Sequence, residues 1–125
     1  MTLGLAAATA NGFLNVFRAT NYTGVTAYCK LHTGDPGSAG TANASNLATR
    51  NAVTFNAAST GSMTLSSLGS YTMDASETIS HISLWDASSA GTFLQSAALT
   101  AGVPVVNGSV LSFSTLTLSF TPIAA

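Results

Sequence analysis

The sequence predicts an all-β chain: a single β-sandwich or barrel-like domain of six to eight short antiparallel strands, entered by a short N-terminal helix or arm. Three observations predict it. From Gly24 onward the apolar residues recur with a period of two. Turn signals separate these alternating runs at short intervals. The composition is dominated throughout by Ala, Ser, Thr and Gly, and Thr favours a pleated, half-buried surface. The 125 residues amount to one domain, without a linker or an internal repeat. A chain of this size buries roughly two thirds of its unfolded surface, enough for a core without disulfides.

The elements follow in order. Residues 1–20 form the arm or short helix and residues 21–125 the β-domain. Between Leu3 and Phe17, Ala6, Ala10, Phe13 and Phe17 recur at steps of four, three and four, which puts them on one helical face. Asn11-Gly12 interrupts that run. An extended arm followed by a short helix over 11–20 fits the pattern equally well. Val25, Ala27, Cys29 and Leu31 then alternate with Thr26, Tyr28, Lys30 and His32, a strand with one buried face. Thr33 to Asn46 is a long loop opened by a tight turn at Asp35-Pro36-Gly37, where proline presets φ and glycine supplies its positive value. Arg50 to Asn56 is a strand with Val53 and Phe55 inward, and Ser62 to Leu68 a weaker one. Around Ile79–Asp86 both parities carry apolar residues, which predicts a central strand buried on both sides. Ala87 to Gly91 is a turn and Phe93 to Leu99 a strand. At the C-terminal end the apolar parity shifts from Leu111 and Phe113 to Leu116, Leu118 and Phe120. Either a bulge near Ser114-Thr115 re-aims one strand, or the chain crosses between two sheets.

Charge is the most informative part of the composition. Only 6 % of the residues are charged, against about 25 % in an ordinary globular protein. Three cations cannot supply the basic face that nucleic acid requires. A surface with so few charges lacks colloidal protection, so the chain is expected to be covered by copies of itself, a trimer or another symmetric cluster, or by a larger assembly. No window is apolar for 18 residues, so no membrane-spanning helix is expected. The N-terminal run has no positive region before Arg18, which argues against a secretory signal and for a chain made and used in a cytoplasm or on a particle assembled there.

Chemistry has few candidates. His32 and Asp35 sit three apart at a strand-to-turn junction, but two ligands are too few for a structural metal site, and turn hydrogen bonding explains the pair. His81 near Asp86 reads as a satisfied, half-buried histidine. Asp74 and Glu77 read as a solvated turn rather than an acid/base pair. Cys29 reads as a small inward hydrophobe and Trp85 as core. There is no nucleophile elbow and no phosphate-binding glycine loop ending in Lys-Ser or Lys-Thr. No enzyme, cofactor or metal is therefore expected.

The order of several segments resembles a family. Phe17-Arg18-Ala19-Thr20-Asn21-Tyr22-Thr23 precedes a strand that runs into Leu31-His32-Thr33-Gly34-Asp35-Pro36-Gly37. Ala48-Thr49-Arg50-Asn51-Ala52-Val53 follows, then His81-Ile82-Ser83-Leu84-Trp85-Asp86-Ala87 and Val105-Val106-Asn107-Gly108-Ser109-Val110. The pattern is similar to small structural proteins of tailed bacteriophages, which serve as head-decoration, minor tail or tail-fibre proteins. The position two before the strand arginine, often aromatic in that family, is Ala48 here. The resemblance implies a non-enzymatic virion component with His32, Asp35, Pro36, Gly37, Arg50, His81 and Asp86 as motif residues at turns and strand ends. Head decoration is the expected role: many copies bound to the major capsid protein or another virion protein, with Leu3, Leu5, Phe13 and Phe17 as arm contacts. The alternative is a minor tail or tail-fibre protein acting in host attachment. A carbohydrate-binding module ranks below both, because few aromatics are available to line a groove.

Overall fold

The computed structural model describes residues 3–19 and 23–120. The boundary expected between residues 20 and 21 lies outside them, as do Thr2 and the last five residues. Among the described residues, nine strands and one α-helix follow one another as β1 (Gly4–Leu5), α1 (Ala7–Asn15), β2 (Ala27–His32), β3 (Asn51–Phe55), β4 (Ser62–Leu68), β5 (Tyr71–Thr72), β6 (Glu77–Trp85), β7 (Phe93–Val105), β8 (Val110–Leu111) and β9 (Thr117–Ser119). Seven of the strands form one antiparallel sheet in the order β1-β7-β6-β2-β3-β4-β9, and β5 pairs with β8 in a second, small sheet. The large sheet curls toward closure: Leu99 and Thr100 of β7 face Leu116 and Thr117 across a groove of about 270 Å³. The fold is all-β and barrel-like, as the period-two alternation predicts.

The core lies inside the curl. Cys29 and Leu31 of β2, Val53 of β3 and Ile82 and Leu84 of β6 supply its sheet side. Tyr71 of the small sheet and Met73 just after it close the core, and the Tyr71 hydroxyl donates to the Cys29 carbonyl at 2.6 Å. A buried phenol needs such a partner, because leaving it unpaired costs a full desolvation penalty. Ile79 joins Ile82 and Leu84 in the same core although its parity is opposite. The β6–β7 register shifts between Ile79 and His81, and that irregularity turns Ile79 back inward.

The structure decides between the two alternatives at the C-terminal end and corrects two other expectations. The C-terminal parity shift marks a crossing between sheets: Val110–Leu111 pairs with β5, whereas Thr117–Ser119 pairs with β4. β7 runs on to Val105, beyond the expected end at Leu99, because pairing with β6 continues through Val103 and Pro104 despite the turn-like Gly102. The helix starts at Ala7 and passes through Asn11-Gly12 without a break, followed by a 3-10 turn over Val16–Arg18 that ends on a left-handed Ala19. Its inward residue is Thr9, and Phe17 is 90 % exposed, so the face drawn through Ala6, Ala10, Phe13 and Phe17 is only partly buried.

The N-terminal arm is held by its own chain. Gly4 and Leu5 pair with Ser96 and Gln95 at the edge of β7. The Ala6 amide and the Thr9 hydroxyl both donate to the Leu94 carbonyl, at 2.8 and 2.9 Å.

Candidate functional site

Two regions account for the residues singled out in the sequence. The first lies on the outer face of the sheet, under the long loop. That loop returns on itself: the Thr33 amide donates to the Asn43 carbonyl, and the Ser45 amide to the Leu31 carbonyl. Asp35 opens the turn by accepting the Gly37 amide at 2.8 Å, and Pro36 is fully buried. The loop lies flat on Phe93 at Gly40, whose φ is +71°. A Cβ there would come within 3 Å of three Phe93 ring carbons, so only glycine fits.

His32 sits beneath this loop, fully buried. Its Nδ1 is 2.9 Å from the Ala42 carbonyl, which can only accept, so Nδ1 carries the proton. Nε2 is then the acceptor for the Ser83 hydroxyl, at 2.7 Å. Trp85 Nε1 donates to the same Ser83 oxygen at 2.8 Å. Each donor and acceptor in this relay has one consistent role, with His32 neutral. Burial pushes the His32 pKa below its ordinary value, against the opposing pull of the Ala42 carbonyl.

Arg50 extends the relay outward. Its guanidinium lies over the Trp85 ring, 4.0 Å from the centroid, and donates to the carbonyls of Ala87 and Ala90. Asp86 accepts the Thr92 amide at 2.6 Å and closes the same turn. Burial, followed by the Arg50 charge, lowers the pKa of Lys30 on the adjoining strand.

The motif residues are therefore structural fasteners. His32, Asp35, Pro36, Gly37, Arg50 and Asp86 lock two loops onto the sheet. His32 and Asp35 do not form a pair, because both ring nitrogens of His32 are engaged elsewhere. His81 is half-buried, with Nδ1 2.8 Å from the Ser80 hydroxyl. Glu77 is not a solvated turn residue. It begins β6 and accepts from the Ser45 hydroxyl and the Asn46 amide, pinning the far end of the long loop. Burial pushes the Cys29 thiol up to about 11, against the lowering effect of its bond with Tyr71, which leaves the sulfur a protonated core group. Tyr71 is likewise shifted upward, by burial first and by Cys29 second. Sequence reasoning missed Ser83, the hub of the relay. Its only signal is a small polar residue between Ile82 and Leu84 on a strand with apolar residues at both parities.

Among the described residues, no group of three or more His, Cys, Asp and Glu side chains is arranged to hold a metal ion. No described helix is long and apolar enough to cross a membrane.

The second region is the end of the barrel under α1. Phe13 reaches down to meet Phe120 edge-on, with ring centroids 5.8 Å apart. Beside this pair lie two apolar clefts. One, of about 280 Å³, is bounded by Phe13, Ala58, Gly61, Met63, Leu118 and Phe120. The other, of about 320 Å³, runs beneath the helix and shares Phe13, Met63 and Leu118 with the first. Leu14 on the helix, Val16 and Phe17 on the 3-10 turn that follows it, and Phe120 remain exposed. This surface has the character of a protein contact: aliphatic and aromatic, with Arg18 as the nearest charge in sequence.

No curated protein matches this sequence. A family model described as podophage GP4 fiber I protein gp80 matches residues 4–121, a span that holds both the relay and the helix end. The chain belongs to the podophage GP4 fiber I protein gp80 family and is a phage virion structural protein.

Proposed function

We propose that this chain is a non-enzymatic building block of a podophage fibre, at the host-facing part of the virion rather than on the head lattice. The family match favours the tail-fibre alternative over the head-decoration role expected from composition. The observation that carries the reading is the division of the surface. Polar motif residues are spent on internal hydrogen bonds, while aromatic and aliphatic side chains of α1 face outward. Such a molecule works by shape and apolar contact, and its partners are other virion proteins, without nucleic acid, cofactor or membrane insertion.

Quantitative mass spectrometry of purified virions tests the location. A fibre component is present in a few to a few dozen copies, and antibody-gold against it marks the tail end. Virions lacking it lose adsorption while their heads keep their resistance to heating. Hundreds of copies on the capsid, with heads that burst on mild warming once stripped, would overturn the fibre reading. Turnover of a host-surface polysaccharide by the purified chain would overturn the non-enzymatic part.

A further inference from the structure

We infer that the outer face of the sheet, from Lys30 and Arg50 along β3 to Thr54, binds an acidic saccharide, with the two cations holding its carboxylate or phosphate group. Lys and Arg number 3 in the whole chain, and two of them meet here. Cys29 pairs with Asn51, so the next step of that register sets Lys30 beside Arg50. Cys29 and Leu31 fill the core, which turns Lys30 to the outer face. Like charges directly opposite each other on a sheet are destabilising. A cation kept for solubility alone would stand in open water, whereas both of these are half-buried.

The chain leaves both cations without a counter-charge. Among the described residues, Lys30 makes no hydrogen bond and no ion pair, and the charge it feels is that of Arg50. Arg50 is only half spent. Its Nη1 reaches the carbonyls of Ala87 and Ala90, while Nε and Nη2 meet no acceptor among the described residues. Trp85 beneath the guanidinium holds it in place. Asp86 is the carboxylate that acts on Arg50, but it forms no ion pair with it and accepts the Thr92 amide instead. An oxyanion fits what remains: a planar donor edge for its oxygens and an ammonium point charge beside it. Ala52 and Thr54 continue the same face of β3 in the open, and Thr54 lies about 13 Å from Arg50 at roughly 3.3 Å per residue. Midway, the half-buried Tyr28 stands opposite Ala52 and offers a ring with a polar tip. At the far end the exposed hydroxyls of Thr54 and Ser67 lie 2.7 Å apart. Charge at one end, a ring in the middle and hydroxyls at the other suit a short acidic oligosaccharide. A nucleic acid would need a run of cations that this face lacks. The inference goes beyond the fibre reading and does not rest on it.

The test uses the full chain, read by backbone amide shifts and by the fluorescence of Trp85, its sole tryptophan. Trigalacturonate is the probe, with inorganic phosphate reading the anion alone and maltotriose the sugar alone. Trigalacturonate is expected to bind most tightly and to shift Lys30, Arg50 and Thr54. Phosphate is expected to shift Lys30 and Arg50 only, and maltotriose to bind roughly 10-fold more weakly than trigalacturonate. Lys30→Met keeps the apolar stem, and is expected to weaken trigalacturonate binding roughly 10-fold with unchanged far-ultraviolet circular dichroism. Tyr28→Ala is expected to weaken it about 5-fold while leaving phosphate binding as it was. Arg18→Gln, which removes the third cation from the 3-10 turn, is expected to change neither. The inference is overturned if neither anion shifts Lys30, or if Lys30→Met and Arg18→Gln act alike. Phosphate binding as tightly as trigalacturonate would overturn the saccharide, leaving a bare anion site. Maltotriose binding as tightly would overturn the role of the two cations.

Discussion

Around His32, three side chains and two loops complete a relay of hydrogen bonds under a loop fitted to within a methyl group. Around Phe13, the same chain leaves two clefts and an aromatic row at its surface. Both regions use apolar and aromatic side chains, and both flank the same sheet. The difference is in what completes them. The first is finished by residues of its own chain, down to the tautomer of one histidine. The second is finished on one side only, by Thr9 and Phe13. A region that ignores solvent is built for stability, and one left open is available to a partner.

Substitutions can break this contrast, and the largest effects belong to the closed region. Gly40→Ala forces a Cβ into the Phe93 ring at a positive φ, and is expected to cost about 3 kcal/mol in urea unfolding. Ser83→Ala strands both His32 Nε2 and the Trp85 indole N–H, and is expected to cost about 2 kcal/mol by the same measurement. If both changes proved mild, the loop would be a loose cover and the contrast would fail.

Acidification sharpens the contrast without substitution. The folded His32 pKa lies below the unfolded value of about 6.5, so the unfolded chain binds the proton more readily. The stabilising contribution is complete above that unfolded value. It is lost as pH falls toward the depressed folded pKa, with a slope of at most about 1.4 kcal/mol per pH unit. Unfolding midpoints between pH 7.5 and pH 5, roughly the range where histidine titrates, are expected to fall in the parent. His32→Gln is expected to flatten that slope, and an unchanged slope would remove the neutral histidine from the account.

Smaller changes follow. Arg50→Lys keeps the charge but loses the planar fit over Trp85 and one of the two carbonyl bonds, for about 1 kcal/mol. Phe17→Ser is expected to alter stability by less than about 0.5 kcal/mol. A larger loss in the isolated chain would mean that the helix end is itself a packed region.

The difference between the regions also explains what could be read from the sequence. Strands such as Ala27–His32 and Asn51–Phe55 announce themselves because one face is buried along their length. The two-sided burial of β6 is visible in the apolar residues at both parities of 79–85. Tyr71–Thr72 is too short to show a period, and the continuation of β7 is masked by Gly102 and Pro104. The turn role of Asp35 is local, three residues of chemistry, and so was legible. The His32–Ser83 bond joins residues 51 apart in sequence, and no local pattern encodes such a meeting. The stripe through Phe13 and Phe17 is plain in the spacing. Spacing shows only that such a face exists, and here most of it is not covered by the chain itself.

The arm at Gly4 and Leu5 has a consequence for how this protein avoids runaway polymerisation. β7 is thirteen residues long and stands near the margin of the sheet, where unsatisfied amides invite any passing strand. The arm occupies that margin at Gln95 and Ser96, and farther along Pro104 brings no N–H to offer. A chain with almost no electrostatic repulsion thus guards its border by geometry. Removing the arm is expected to bare that margin and to raise edge-to-edge aggregation, which light scattering of the shortened chain would read.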